Sequence, residues 1–129
     1  MDIRDIDVKK TWVLSSPLNF TRYFFQKQYK RKFIVGEHHR IISDVLNQVL
    51  KGDIKRLIIN IPPRYSKTEM AVKNFIAMGL GMNPKAKFIH LIYRDDLALD
   101  NSRAVQNIIL DPSYQELFTT KLITRNARR

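Results

Sequence analysis

The residues with most chemistry in them are Arg64, Tyr65, Ser66, Lys67 and Thr68, within Ile61-Pro62-Pro63-Arg64-Tyr65-Ser66-Lys67-Thr68-Glu69. A phosphate-binding loop uses backbone N–H groups curled around phosphates, an ammonium reaching the β and γ groups, a hydroxyl on Mg²⁺ and a helix N-terminus behind them. Lys67 and Thr68 suit the ammonium and hydroxyl roles; a solvated lysine at a helix start is the plainer alternative. Arg64 reads either as a guanidinium that senses a γ-phosphate or as a surface arginine. Pro62 and Pro63 stiffen the loop, and Tyr65 covers it. The pattern G-x-x-x-x-G-K-[ST] is incomplete, because its glycine positions fall on Ile61 and Ser66, and serine lacks glycine's freedom at positive φ. The other such pair, Lys10-Thr11, follows a charged start rather than an apolar run.

Other reactive groupings are weaker. Asp95-Asp96 come only 28 and 29 positions after Lys67, with Tyr93-Arg94 between them and the preceding apolar run, so helix capping explains them better than a Mg²⁺ site. His38 and His39 are adjacent and diverge on a helix, and His90 stands in an apolar run without cysteine partners, which argues against a metal site. The chain has no cysteine, which excludes a disulfide framework and a thiolate nucleophile. No acid-base pair or nucleophile triad can be assembled, and the carboxylate cluster a nuclease needs is missing after Asp111.

The elements expected to position these residues alternate. Trp12 to Phe25 reads as an ordered arm with a Ser15-Ser16-Pro17 turn. From His38 to Leu50, Ile41, Ile42, Val45, Leu46, Val49 and Leu50 make one helical face, with Gly52 as the stop. Leu57-Ile58-Ile59-Asn60-Ile61 predicts a buried strand closed by prolines. A largely apolar helix runs from about Lys67 to Leu80, followed by the Asn83-Pro84 turn and a second strand, Lys87-Phe88-Ile89-His90-Leu91-Ile92-Tyr93. A helix capped by Asp95 or Asp96 carries Leu97, Ala104, Val105, Ile108 and Ile109 inward, and a short helix follows from Tyr114 to Phe118. This βαβ order predicts a three-layer α/β fold.

The 129 residues allow one modest domain, with no apolar run long enough to cross a membrane and no secretory h-region, so an intracellular protein is expected. The net charge of +11 is concentrated at the ends: +5 in residues 1–32 and +4 in 119–129, against +2 between them. Such basic ends suit contact with nucleic acid, or are solvated linkers.

The proline-proline-arginine loop ending in Lys67-Thr68-Glu69 resembles the deviant Walker A of the large terminase subunit of tailed bacteriophages. Phe33-Ile34-Val35-Gly36-Glu37-His38-His39, the 57–61 run, and Asn83-Pro84-Lys85-Ala86-Lys87-Phe88 through Tyr93 to Asn101-Ser102 are similar to that family in order and spacing. The resemblance covers roughly residues 20–118. It implies an incomplete P-loop NTPase, additional-strand and RecA-like, truncated before the Walker B strand. Residues 1–32 would be a basic arm, 33–118 the N-terminal part of the ATPase domain, and 119–129 a basic tail or the start of the missing remainder. The family's motor hydrolyses ATP to package double-stranded DNA through a portal protein, with a small terminase subunit, in the bacterial cytoplasm, and its nuclease domain cuts concatemers.

By that resemblance Tyr65, Ser66, Lys67 and Thr68 bind ATP, Thr68 meets Mg²⁺, and Arg64 responds to the γ-phosphate. A chain lacking Walker B and the nuclease domain is expected to bind nucleotide weakly without hydrolysing it, and to self-associate through unpaired sheet edges. The alternative reading is a small basic nucleic-acid-binding or structural protein with a vestigial nucleotide loop.

Overall fold

The computed structural model describes residues 3–123, and these form helices and connecting segments with no β-strand. In order they are α1 (Ile3–Leu14), α2 (Pro17–Tyr29), α3 (Glu37–Leu50), a π-helical segment (Glu69–Asn74) running directly into α4 (Phe75–Met82), α5 (Asp95–Leu110) and α6 (Pro112–Leu117). The expected three-layer α/β sheet, with strands at 57–61 and 87–93, is therefore corrected to a helical bundle. The physical reason lies in what a strand requires. Both runs carry the apolar and β-branched residues of strands, but a strand exists only as part of a ladder, and neither run pairs with the other.

The N-terminal segment shows how local chemistry builds the bundle. Ser16 and Pro17, read from sequence as a turn, are a helix start. The Ser16 hydroxyl accepts from the Asn19 N–H at 3.1 Å, and Pro17 occupies the first turn, where no N–H is needed. α2 ends at Lys30, which adopts a left-handed conformation with φ 58°. At α3 the backbone N–H of Gly36 donates to His39 Nδ1 at 2.8 Å, a side chain reaching back to cap the first turn. Asp111 begins α6 by accepting from the Ser113 N–H at 2.8 Å, ahead of Pro112.

Two apolar clusters hold these helices together. The larger gathers Val13 of α1, Phe20 and Phe24 of α2, Ala77 and Met78 of α4, Val105, Ile108 and Ile109 of α5, and Tyr114, Leu117 and Phe118. Its rings interlock, with centroids 4.5 Å apart for Phe20–Phe24, 5.7 Å for Phe24–Tyr114 and 4.6 Å for Tyr114–Phe118. The Tyr114 hydroxyl, buried at the centre, donates to the Ala77 carbonyl at 2.8 Å. Burial, partly offset by a hydrogen bond with Thr120, pushes its pKa up to about 12. The smaller cluster packs Leu18, Phe33, Ile42, Leu46 and Met70, with Ile59, Ile61 and Phe75 against it.

Glu69–Asn74 takes the π form where a side chain enters the helix. Asn74 Nδ2 donates to the Glu69 carbonyl at 2.8 Å and approaches Glu69 Oε1 at 3.2 Å, competing with the main-chain ladder. The same carboxylate accepts from the Tyr29 hydroxyl at 3.2 Å and pairs with Lys73 at 3.5 Å, tying α2 to this segment. Burial, and then the Glu69 charge, raise the Tyr29 pKa above its ordinary value.

Candidate functional site

The loop at 61–68 holds two L-residues in left-handed backbone: Arg64 at φ 71° and Ser66 at φ 64°. Each such residue costs roughly 1–2 kcal/mol. The loop is braced by His38, whose Nε2 lies 3.3 Å from the Tyr65 carbonyl oxygen and whose ring meets the Tyr65 ring edge-on at 5.3 Å. Behind it the Met70 N–H donates to the Ser66 carbonyl at 3.0 Å. Arg64, Ser66, Lys67 and Thr68 line one shallow cavity of about 420 Å³ with Lys73 on its rim, while Tyr65 lies outside it against His38. The structure thus brings together four of the five residues singled out in this loop.

Asp95 and Asp96 start α5; the Asp96 carboxylate receives Arg94 Nε at 3.1 Å and Nη2 at 2.6 Å. His90 is held by the largely buried Asn101, whose Nδ2 lies 3.0 Å from His90 Nε2. His39 is buried against Phe33 and His38. Burial, and then His38, lower its pKa, with a hydrogen bond to the Tyr65 backbone carbonyl opposing them. Among the described residues no group of three or more His, Asp or Glu side chains could hold a metal ion.

The other unusual surface is formed by the two runs read as strands. Among the described residues no backbone N–H or C=O of 57–61 or 87–93 makes a hydrogen bond. Their side chains nevertheless alternate as in extended chain. Ile89, Leu91 and Tyr93 are 88%, 86% and 84% exposed, whereas Phe88 and Ile92, at alternate positions, are 38% and 36%. Ile58 is 84% exposed while Ile59 and Ile61 pack into the smaller cluster. Each run therefore lays one face on the helices and leaves the other bare.

The helix between the runs anchors both. Phe88 meets Phe75 edge-on at 6.3 Å and lies so close over Gly79 that a Cβ there would come within 2.5 Å of its ring. Phe75, Ile59 and Ile61 all pack against the smaller cluster. A cavity of about 390 Å³ runs along Leu57 and Ile59, with Lys55 and Lys67 among its lining residues, and another of about 450 Å³ lies beside Phe88 and His90. Val72 lines both, so the cavities share one helical wall.

The chain matches no known family model, no curated protein and no solved structure. The resemblance to the terminase large subunit is overturned by the fold. That motor domain requires a sheet, and the described residues hold none. The P-loop assignment falls with it. A strand–loop–helix frame is what would aim Lys67 and Thr68 at ATP and Mg²⁺, and residues 57–61 form no strand to supply it. The expectations of an ATPase fragment, of ATP and Mg²⁺ as cofactors, and of a vestigial nucleotide loop are corrected accordingly. No described helix is long and apolar enough to cross a membrane.

Lys67 and Thr68 are conspicuous by residue type, whereas Ile58, Ile89, Leu91 and Tyr93 read from sequence only as buried strand residues. Their signal was a continuous apolar run, which tells neither which face is covered nor whether anything pairs with its edge.

Proposed function

We propose that the protein is an interaction module: a helical scaffold that holds two extended apolar segments ready to accept a β-strand from another polypeptide. The observation that carries this reading is the combination, in residues 57–61 and 87–93, of unpaired backbone groups with alternating apolar exposure. Water satisfies such groups poorly beside bare isoleucine and leucine side chains, and an added strand satisfies the backbone while covering the apolar face. Low charge within the runs and the absence of proline from 87–93 leave that edge undefended. The helices contribute rigidity, since Phe75, Phe88 and Gly79 fix the second run in place before any partner arrives.

The test is binding of a synthetic extended peptide of alternating valine and threonine, followed by fluorescence anisotropy and amide hydrogen exchange. Binding should protect the amides of 57–61 or 87–93 and be abolished by the exposed substitutions Ile89→Lys with Leu91→Lys and Ile58→Lys. Binding that survives all of them, or that protects only helical amides, would remove the reading.

A further inference from the structure

We infer that the strand this site accepts is an apolar segment with acidic residues at its ends, rather than a second copy of the chain; this rests on the strand-addition reading above. The charges around the two runs carry the inference. Lys55 and Arg56 precede the first, Arg64 and Lys67 follow it, and Lys85 and Lys87 stand at the start of the second. All six are exposed, and the ion pairs among the described residues, Lys73 with Glu69 and Arg94 with Asp96, involve none of them. Lys55 and Lys67 moreover line the cavity that also contains Leu57 and Ile59, so cations edge the apolar groove itself. Of the acids around the runs, Glu69 is engaged by Tyr29, Asn74 and Lys73 and Asp96 by Arg94, while Asp53 before the first run and Asp95 after the second leave the cations in the majority.

A strand laid along the first run would have an apolar centre facing Ile58 and both ends among these cations, and one laid along the second would face Ile89 and Leu91 with its cationic end at Lys85 and Lys87. Glutamate or aspartate at the ends gives attraction across the interface, while lysine or arginine gives repulsion. A second copy brings the same cationic ends and a net charge of +11, which opposes approach before any backbone contact forms. The apolar face supplies the adhesion, and the cationic ends select the partner.

The experiment compares two peptides with the same alternating valine-threonine centre, one ended by paired glutamates and the other by paired lysines. The glutamate-ended peptide should bind about tenfold more tightly at low salt, the effect of a few exposed charge pairs. That preference should shrink near 1 M salt, where the Debye length is about 3 Å. The double variant Lys55→Glu with Lys87→Glu, both at exposed positions, should favour the lysine-ended peptide. Equal binding of both peptides, with protection of the 57–61 or 87–93 amides, would overturn the charge inference and leave strand addition standing. Neither peptide binding would overturn strand addition itself. A dimer of the unmodified protein that protects the same amides and excludes the glutamate-ended peptide would replace the acidic partner with a second copy.

Discussion

The aromatic core and the two extended runs are built from similarly apolar sequence, yet one is closed and the other open. Phe20, Phe24, Tyr114 and Phe118 meet across α2, α6 and the residue after it, and the one hydroxyl among them is satisfied by the Ala77 carbonyl. Ile58, Ile89, Leu91 and Tyr93 meet nothing on their outward faces, and the backbone that carries them is unpaired. The difference teaches that a helix brings its own hydrogen bonds and needs only side-chain packing, whereas an extended run needs a neighbour for both. Stability belongs to the closed region, and availability to the open one.

Substitutions should separate the two sharply. Phe24→Ala in the closed region should cost about 3–5 kcal/mol in urea unfolding, because it removes a fully buried ring from an interlocked set. Ile89→Lys in the open region should change stability by no more than about 0.5 kcal/mol, and a loss as large as that of Phe24→Ala would erase the contrast. Tyr114→Phe should cost about 1 kcal/mol by removing the buried hydrogen bond from its hydroxyl to the Ala77 carbonyl.

Tyr114 also sets an alkaline limit. Its folded pKa of about 12 lies above the ordinary value of 10.0, so the unfolded chain loses this proton first. This contribution is intact below pH 10.0 and is lost as pH rises towards about 12, so Tyr114→Phe should lessen the alkaline fall in unfolding curves, with the raised pKa of Tyr29 accounting for part of what remains. Gly79→Ala should displace the Phe88 ring and speed chymotryptic cleavage within 87–93, with less effect on the melting temperature than Phe24→Ala. The smallest effect concerns His39. Its lowered folded pKa means that the unfolded chain takes up a proton first as pH falls below the ordinary value of 6.5. Stability should therefore decline in that acid range, and less so in His39→Gln, as thermal melts across pH would show.

Much of the helical part was legible in sequence. The faces from His38 to Leu50 and from Leu97 to Ile109 appear in α3 and α5, because helix periodicity is written within one element. Ser16-Pro17 reads from sequence as a turn and is instead the cap and first turn of α2, because a helix start and a turn share those residues. The sheet was misread for a non-local reason. Valine, isoleucine and tyrosine favour extended chain, and the alternation at 87–93 agrees with that, but pairing depends on what lies alongside. The loop at Arg64–Thr68 was found by residue type alone. Its left-handed turns at Arg64 and Ser66 could not be read from residues that ordinarily avoid them.

The most direct test of the account is amide hydrogen exchange on the free protein at low concentration. Residues 57–61 and 87–93 should exchange close to unstructured rates while amides inside α2 and α5 remain protected. Strong protection of both runs in the monomer would mean that the chain pairs them internally, and would contradict the open site on which the proposed function depends.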